Sequence, residues 1–226
     1  MYHYLYKLQF KQKKRDIMSV FKKGFTLAEV LITLLIIGVI ASIVIPGLIA
    51  DTQQAEYKAA WKKAFASISQ AHKQIIMDNG GTLADAAANN SDLRNLFKNK
   101  MNTVTTCDDA SCTAISLLLL NGTTASNFAS YSMVLSDGTI IGFNFNSSAC
   151  THNGWVYNTG ECAWLIVDVN GKKKPNQWGK DIYGIWVINN QILPWGANPA
   201  GTASSSYVES TCSTSGYGCG SKYLYN

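Results

Sequence analysis

Three sets of residues in this 226-residue chain have types and spacings suited to chemistry. The first is Gly24-Phe25, with Glu29 four positions further on in otherwise uncharged sequence. Hydrolysis after Gly24 would leave a new α-amino group on Phe25, one helical turn from the Glu29 carboxylate. An ammonium and a carboxylate so placed neutralise one another, within a chain or between neighbours, where either alone is costly in an apolar medium. The second set is Asp168, Asn170 and Asp181, oxygen donors around a tight loop containing Asn170-Gly171. Calcium takes oxygen ligands in a flexible cage, and the i, i+2 spacing echoes the opening of an EF-hand loop. The later ligands and closing Glu of that motif are missing, and Lys172-Lys173-Lys174 sets three positive charges beside the site. The plainer reading is a turn whose backbone Asp168 and Asp181 fix.

The third set is six cysteines, all after residue 100. Their short spacings favour the pairs Cys107–Cys112, Cys150–Cys162 and Cys212–Cys219, which suit an oxidising compartment. A zinc site is the alternative. The spacings contain no Cys-x-x-Cys, and only His72 and His152 follow residue 24. Catalysis finds little support: there is no Gly-x-Ser-x-Gly, His-Glu-x-x-His or phosphate-loop pattern. His72 falls beside an apolar helix stripe, where packing is the default role. Tryptophans at 155, 164, 178, 186 and 195 could form an adhesive face, but aromatic strand residues more often pack a small sheet onto a helix.

The element that must position Phe25 and Glu29 is the apolar run from residue 25 to 50. Residues 30–49 are 20 uncharged residues in a row. As a helix, residues 25–50 would be about 39 Å long, enough to cross a hydrocarbon core of about 30 Å. Residues 1–24 hold seven of the 19 Lys/Arg and one of the 14 Asp/Glu, leaving 12 and 13 for the rest. The basic excess is therefore a topological signal that keeps the N-terminus cytoplasmic, and no nucleic-acid partner is expected. Met18 opens a seven-residue leader, Met18 to Gly24, and is the expected translation start. Two simpler accounts compete: an uncleaved signal anchor, which has no use for Glu29, and a secretory signal cut after Val39-Ile40-Ala41.

The ordered set Lys22/Lys23, Gly24, Phe25, Glu29, apolar run and Pro46 resembles the N-terminal signature of the type IV pilin superfamily, which includes pilins and type II secretion pseudopilins. Pro46 stands where members carry a helix-kinking proline. The resemblance is strong over residues 22–78 and extends to the remainder only in layout. It implies cleavage after Gly24 by a prepilin peptidase, N-methylation of Phe25, and storage in the bacterial inner membrane with the C-terminal domain outside the cytoplasm. It further implies assembly, through Glu29 and Pro46 on the N-terminal helix, into a pilus or secretion pseudopilus. The implied partners are other copies and pilin-like subunits, membrane lipid and an inner-membrane assembly platform. Some type II major pseudopilins bind calcium in a loop of the sheet, which lends weight to calcium at Asp168, Asn170 and Asp181. The rival function is a minor pilin whose 127–226 face binds a ligand at a filament tip. A membrane-anchored enzyme is a distant third.

The expected fold is α+β, a long N-terminal helix packed on a small antiparallel sheet. Residues 1–24 form the leader, 25–50 the membrane and polymerisation half of the helix, and 51–78 its amphipathic half. In that half Tyr57, Trp61, Ala64, Phe65, Ile68, Ile75 and Ile76 recur at helical steps until Asn79-Gly80-Gly81 stops them. Residues 79–126 read as a connector with weak helical character around Leu93, Leu96 and Phe97. Residues 127–226 supply four strands, 131–135, 139–145, 163–169 and 182–188. The first two are joined by a turn at Ser136-Asp137-Gly138. A Gly/Ser/Thr-rich tail closes the chain.

Overall fold

The computed structural model describes residues 24–113, 115–125, 128–151, 160–197 and 206–225. The leader to residue 23, with Met18, Lys22 and Lys23, and also His152 and Trp155, lie outside the described residues. The chain divides into two units at Asp51/Thr52.

Helix α1, Leu27–Asp78, runs for 52 residues and continues through Pro46. In the first unit the large apolar side chains from Phe25 to Ile49 are exposed, Phe25 at 86%. By length and composition this stretch can cross a membrane. In the second unit the helix buries Trp61, Ala64, Ile68, Ala71 and Ile75, a stripe at steps of three and four. It ends where Gly80 and Gly81 take φ of +72° and +94°, and the Gly81 N–H donates to the Ile76 carbonyl at 2.6 Å. A residue with a Cβ would resist that left-handed backbone.

The stripe rests on a six-stranded antiparallel sheet in the order β1 to β6. Its strands are β1 Thr103–Cys107, β2 Tyr131–Leu135, β3 Ile140–Phe145, β4 Glu161–Asp168, β5 Ile182–Ile188 and β6 Ile192–Pro194. The fold class is thus α+β, as expected for a pilin-like chain. The four expected strands are present within two residues at each end, and two more join them at the edges. Helix α2, Asn90–Lys98, lies in the stretch read as connector. Asn89 caps it by accepting from the Asp92 N–H, and it buries Leu93 and Phe97.

Alternation along the central strands sorts side chains to two faces. Ile141, Phe143, Leu165, Val167, Tyr183 and Ile185 join the core under α1. Their neighbours Ile140, Ile166, Ile182 and Trp186 join a second core with Leu117, Phe128, Trp178 and Trp195. Both faces are therefore covered, by a helix on one side and by loops on the other. This is why β5 is buried at every position. Of the strand aromatics, Tyr183 packs the sheet onto the helix by stacking on Trp61 at 4.5 Å, whereas Trp164, Trp178, Trp186 and Trp195 belong to the second core. Trp178 and Trp186 stack on Trp195 at centroid distances of 5.0 and 5.1 Å, on the face away from α1. Gly184 makes room for that stack, since a Cβ there would lie 2.0 Å from the Trp195 ring.

Three disulfides join Cys107–Cys112, Cys150–Cys162 and Cys212–Cys219, the pairs the short spacings favour. The last one links the turn Glu209–Ser213 to the terminal helix α3, Cys219–Tyr225. Helix α3 is tied to α1 by the Trp61 indole N–H, which donates to the Gly220 carbonyl at 2.9 Å.

Candidate functional site

The N-terminal motif is organised by a reciprocal cap. Thr26 precedes the first residue of α1. Its hydroxyl accepts from the Glu29 N–H at 3.2 Å, while Glu29 Oε2 accepts from both the Thr26 N–H and its hydroxyl at 2.8 Å. This is a capping box, in which two otherwise unsatisfied donors at the helix start are met by side chains. The carboxylate thereby stays folded against the first turn, beside the peptide that joins Phe25 to Thr26. Around Gly24 a Cβ would meet nothing within 4 Å. Glu29 is placed at the end that cleavage after Gly24 would expose. Sequence reasoning singled out Glu29 and missed Thr26. The signal was present as Thr26-Leu27-Ala28-Glu29, a Thr-x-x-Glu pattern just before an apolar run.

The second set lies at the sheet end where β4 leaves and β5 begins. Asp168 and Asp181 are both fully buried. Asp181 Oδ1 and Oδ2 accept from the N–H groups of Gln177 at 2.7 Å and Asn176 at 2.8 Å. Asp168 Oδ1 accepts from the Asn170 N–H at 3.1 Å. These bonds are the backbone-fixing role that the turn reading predicts. They leave something over. Asp168 Oδ2, Asn170 Oδ1 and Asn176 Oδ1 are buried with no hydrogen-bond partner. Burial, with the charge of nearby Asp181, pushes the Asp168 carboxyl up to about 8, and burial also raises Asp181. Among the described residues no group of three or more His, Cys, Asp or Glu could hold a metal. Any cation here would be held by two carboxylates and by amide oxygens. Asn176 was not anticipated. It sits at φ +51°, a conformation Asn tolerates, and nothing in its spacing from Asp168 announced it.

Elsewhere two buried titratable groups lie at the helix–sheet contact. His72 is 1% exposed, and its Nε2–H donates to the Ile188 carbonyl at 3.1 Å. Burial holds its pKa down at about 4. Glu161, the register partner of Ile188, accepts from the Asn146 amide through Oε1 and is pushed up to about 7 by burial. His72 is a packing residue whose ring N–H is met by a carbonyl.

Residues 21–45 match the family model of the prokaryotic N-terminal methylation motif. No curated protein and no solved structure matches the chain. The match covers Gly24, Phe25, Thr26 and Glu29 and the start of α1. It supports the type IV pilin-like recognition and marks the chain as a prepilin-type substrate of prepilin peptidase.

Proposed function

We propose that this chain is a structural prepilin. It is held in the inner membrane by the first half of α1 with its N-terminus cytoplasmic, cut after Gly24, methylated on Phe25, and assembled through α1 into a pilus or type II secretion pseudopilus. The observation that carries this reading is the methylation motif at residues 21–45, set at the start of a helix whose apolar side chains are unburied from Phe25 to Ile49. An apolar surface of that length needs lipid or neighbouring helices around it. Of the tryptophans that a minor-adhesin face would use, Trp178, Trp186 and Trp195 are buried and Trp164 is half-buried. Intact mass of the membrane-extracted protein tests the proposal. Phe25 should be the N-terminus and carry one added methyl, whereas a chain starting at Ser42 would overturn the reading in favour of a secretory signal.

A second reading concerns the 168–181 loop, where the three unpartnered buried oxygens favour a bound cation. Asp168 Oδ2, Asn170 Oδ1 and Asn176 Oδ1 would hold it, with Asp181 supplying charge and backbone order. The donors are all hard oxygens, which fits calcium. The ion would replace the hydrogen bonds that these oxygens lack.

A further inference from the structure

The sheet has two edges, and the described residues close only one of them. Beyond β6, Pro194 offers no N–H, the Trp195 carbonyl accepts from the Ser221 N–H at 2.9 Å, and Gly196 bridges to Val208. The edge beyond β1 differs. Among the described residues, none outside β2 makes a backbone hydrogen bond with residues 103–106. The register with β2 also skips Val104, because Thr103 faces Leu135 and Thr105 faces Val134. That bulge leaves Val104 without a cross-strand partner, and its side chain is 71% exposed. Arg94 takes the Cys107 carbonyl at 3.0 Å, so the open stretch ends at Thr106.

An open edge is ordinarily protected by a lysine or proline within the strand. Here residues 101–107 carry no charge, and Thr103-Val104-Thr105-Thr106 suits strand pairing. The charge stands at the two ends, with opposite sign: Lys98 and Lys100 before, Asp108 and Asp109 after. All four are exposed. Such a segment is complementary to itself when run antiparallel. Centred on Val104, a second copy sets its Asp108 opposite Lys100 and its Lys100 opposite Asp108. Run parallel, lysine faces lysine and aspartate faces aspartate, which opposes pairing. The ion pairs already present leave room for this. Lys100 Nζ gives one of its three donors to Asp78, and Asp108 meets Arg94 through Oδ1 with its side chain 70% exposed.

We propose that β1 is a self-association edge, at which a second copy of this chain adds its own β1 antiparallel about a two-fold axis at Val104. The two six-stranded sheets then become one continuous sheet. The two Val104 side chains meet at the axis and leave water, and each Lys100 finds the other copy's Asp108. The two-fold makes every contact occur twice. A strand this short gives a small and reversible interface. The pairing involves the globular unit alone, so it stands or falls apart from the prepilin reading.

Sedimentation equilibrium of the full-length protein in detergent micelles provides the test. Wild type should dimerise reversibly. Val104→Lys sets two like charges face to face at an exposed position and should raise the dimer Kd about ten-fold. K100E and D108K should each weaken the dimer to a similar degree. The double variant K100E/D108K should restore it, since the two ends have only exchanged sign. Val104→Cys should join two copies under mild oxidation, whereas Met77→Cys, also exposed but on α1, should not. Wild type that is monomeric at every concentration overturns the proposal, whether or not β1 then accepts an extended foreign peptide. So does a dimer indifferent to Val104→Lys, which would place the contact on the apolar helix. Loss in both single variants without recovery in the double one overturns the antiparallel register, and the proposal with it.

Discussion

At the scale of single residues, Glu29 has two tasks that can be separated. In this structure its carboxylate closes the capping box with Thr26. In the proposed filament it also offsets the Phe25 ammonium. Glu29→Gln retains an acceptor for Thr26 but cannot neutralise a charge. Membrane insertion should be at least as favourable as in wild type, by up to about 3 kcal/mol, because a charge leaves an apolar segment. Cleavage should continue, since the scissile bond and the lysines before it are intact. Filaments should be lost, because an unpaired ammonium in the filament core costs several kcal/mol per subunit. Thr26→Val is the counterpart: it removes a cap of about 1 kcal/mol and should thin the filaments without abolishing them. Comparing membrane levels with sheared surface filaments decides the matter. Undiminished filaments from Glu29→Gln would assign the residue to the cap alone. Both residues could be read in the sequence, Glu29 by its charge and Thr26 by its spacing. Asn176 could not, because the contact that matters is made by a backbone turn bringing it back to Asp181.

At the scale of elements, the join between α1 and the sheet is sensitive to pH in two opposite senses. His72 on α1 has a folded pKa of about 4, below its ordinary 6.5. A depressed base contributes stability that is complete above pH 6.5 and is lost as pH falls towards 4, about 3 kcal/mol in all. Glu161 on β4 is raised from 4.5 to about 7, so its contribution is complete below pH 4.5 and is lost as pH rises through 7. Glu161→Gln should therefore raise the melting temperature at pH 8 and change it little at pH 4.5, while the acid limb due to His72 persists. A variant that melts like wild type at pH 8 would show that Glu161 ionises without cost. The elements themselves were unequally legible. The amphipathic half of α1 and the four central strands follow from residue periodicity. β1, Thr-Val-Thr-Thr-Cys at a half-exposed edge, has no alternation to betray it, and β6 is three residues ending in Pro194. Both are made strands by their neighbours rather than by their own sequence.

At the scale of the molecule, the 168–181 loop is where the layers meet. Gln177 Nε2 donates to the carbonyls of Leu119 and Leu120, and the Trp178 N–H to that of Leu118, so the loop also holds the segment that covers the second face. If the loop binds calcium as proposed, chelation should lower the melting temperature of the intact protein and change its tryptophan emission together. Asp168→Ala should remove both responses. A melting curve indifferent to chelator and to added calcium would leave only the turn. The burial of both sheet faces could not be foreseen, because the covering residues Leu117, Phe128 and Trp195 come from loops without periodicity. The bond from Trp61 to Gly220 spans 159 residues and brings the end of the chain back to where the globular unit starts. That bond has a practical side. A fluorescent protein or epitope fused after Asn226 would follow α3, which is bonded to the Trp61 turn of α1, and would crowd that contact. A cargo inserted at Gly80-Gly81 would instead leave from the opposite end of the helix, about 26 Å from Trp61 along its axis. Both glycines are exposed and have no atoms crowding them. For display on a surface fibre, the interior of this chain is a better attachment point than its terminus.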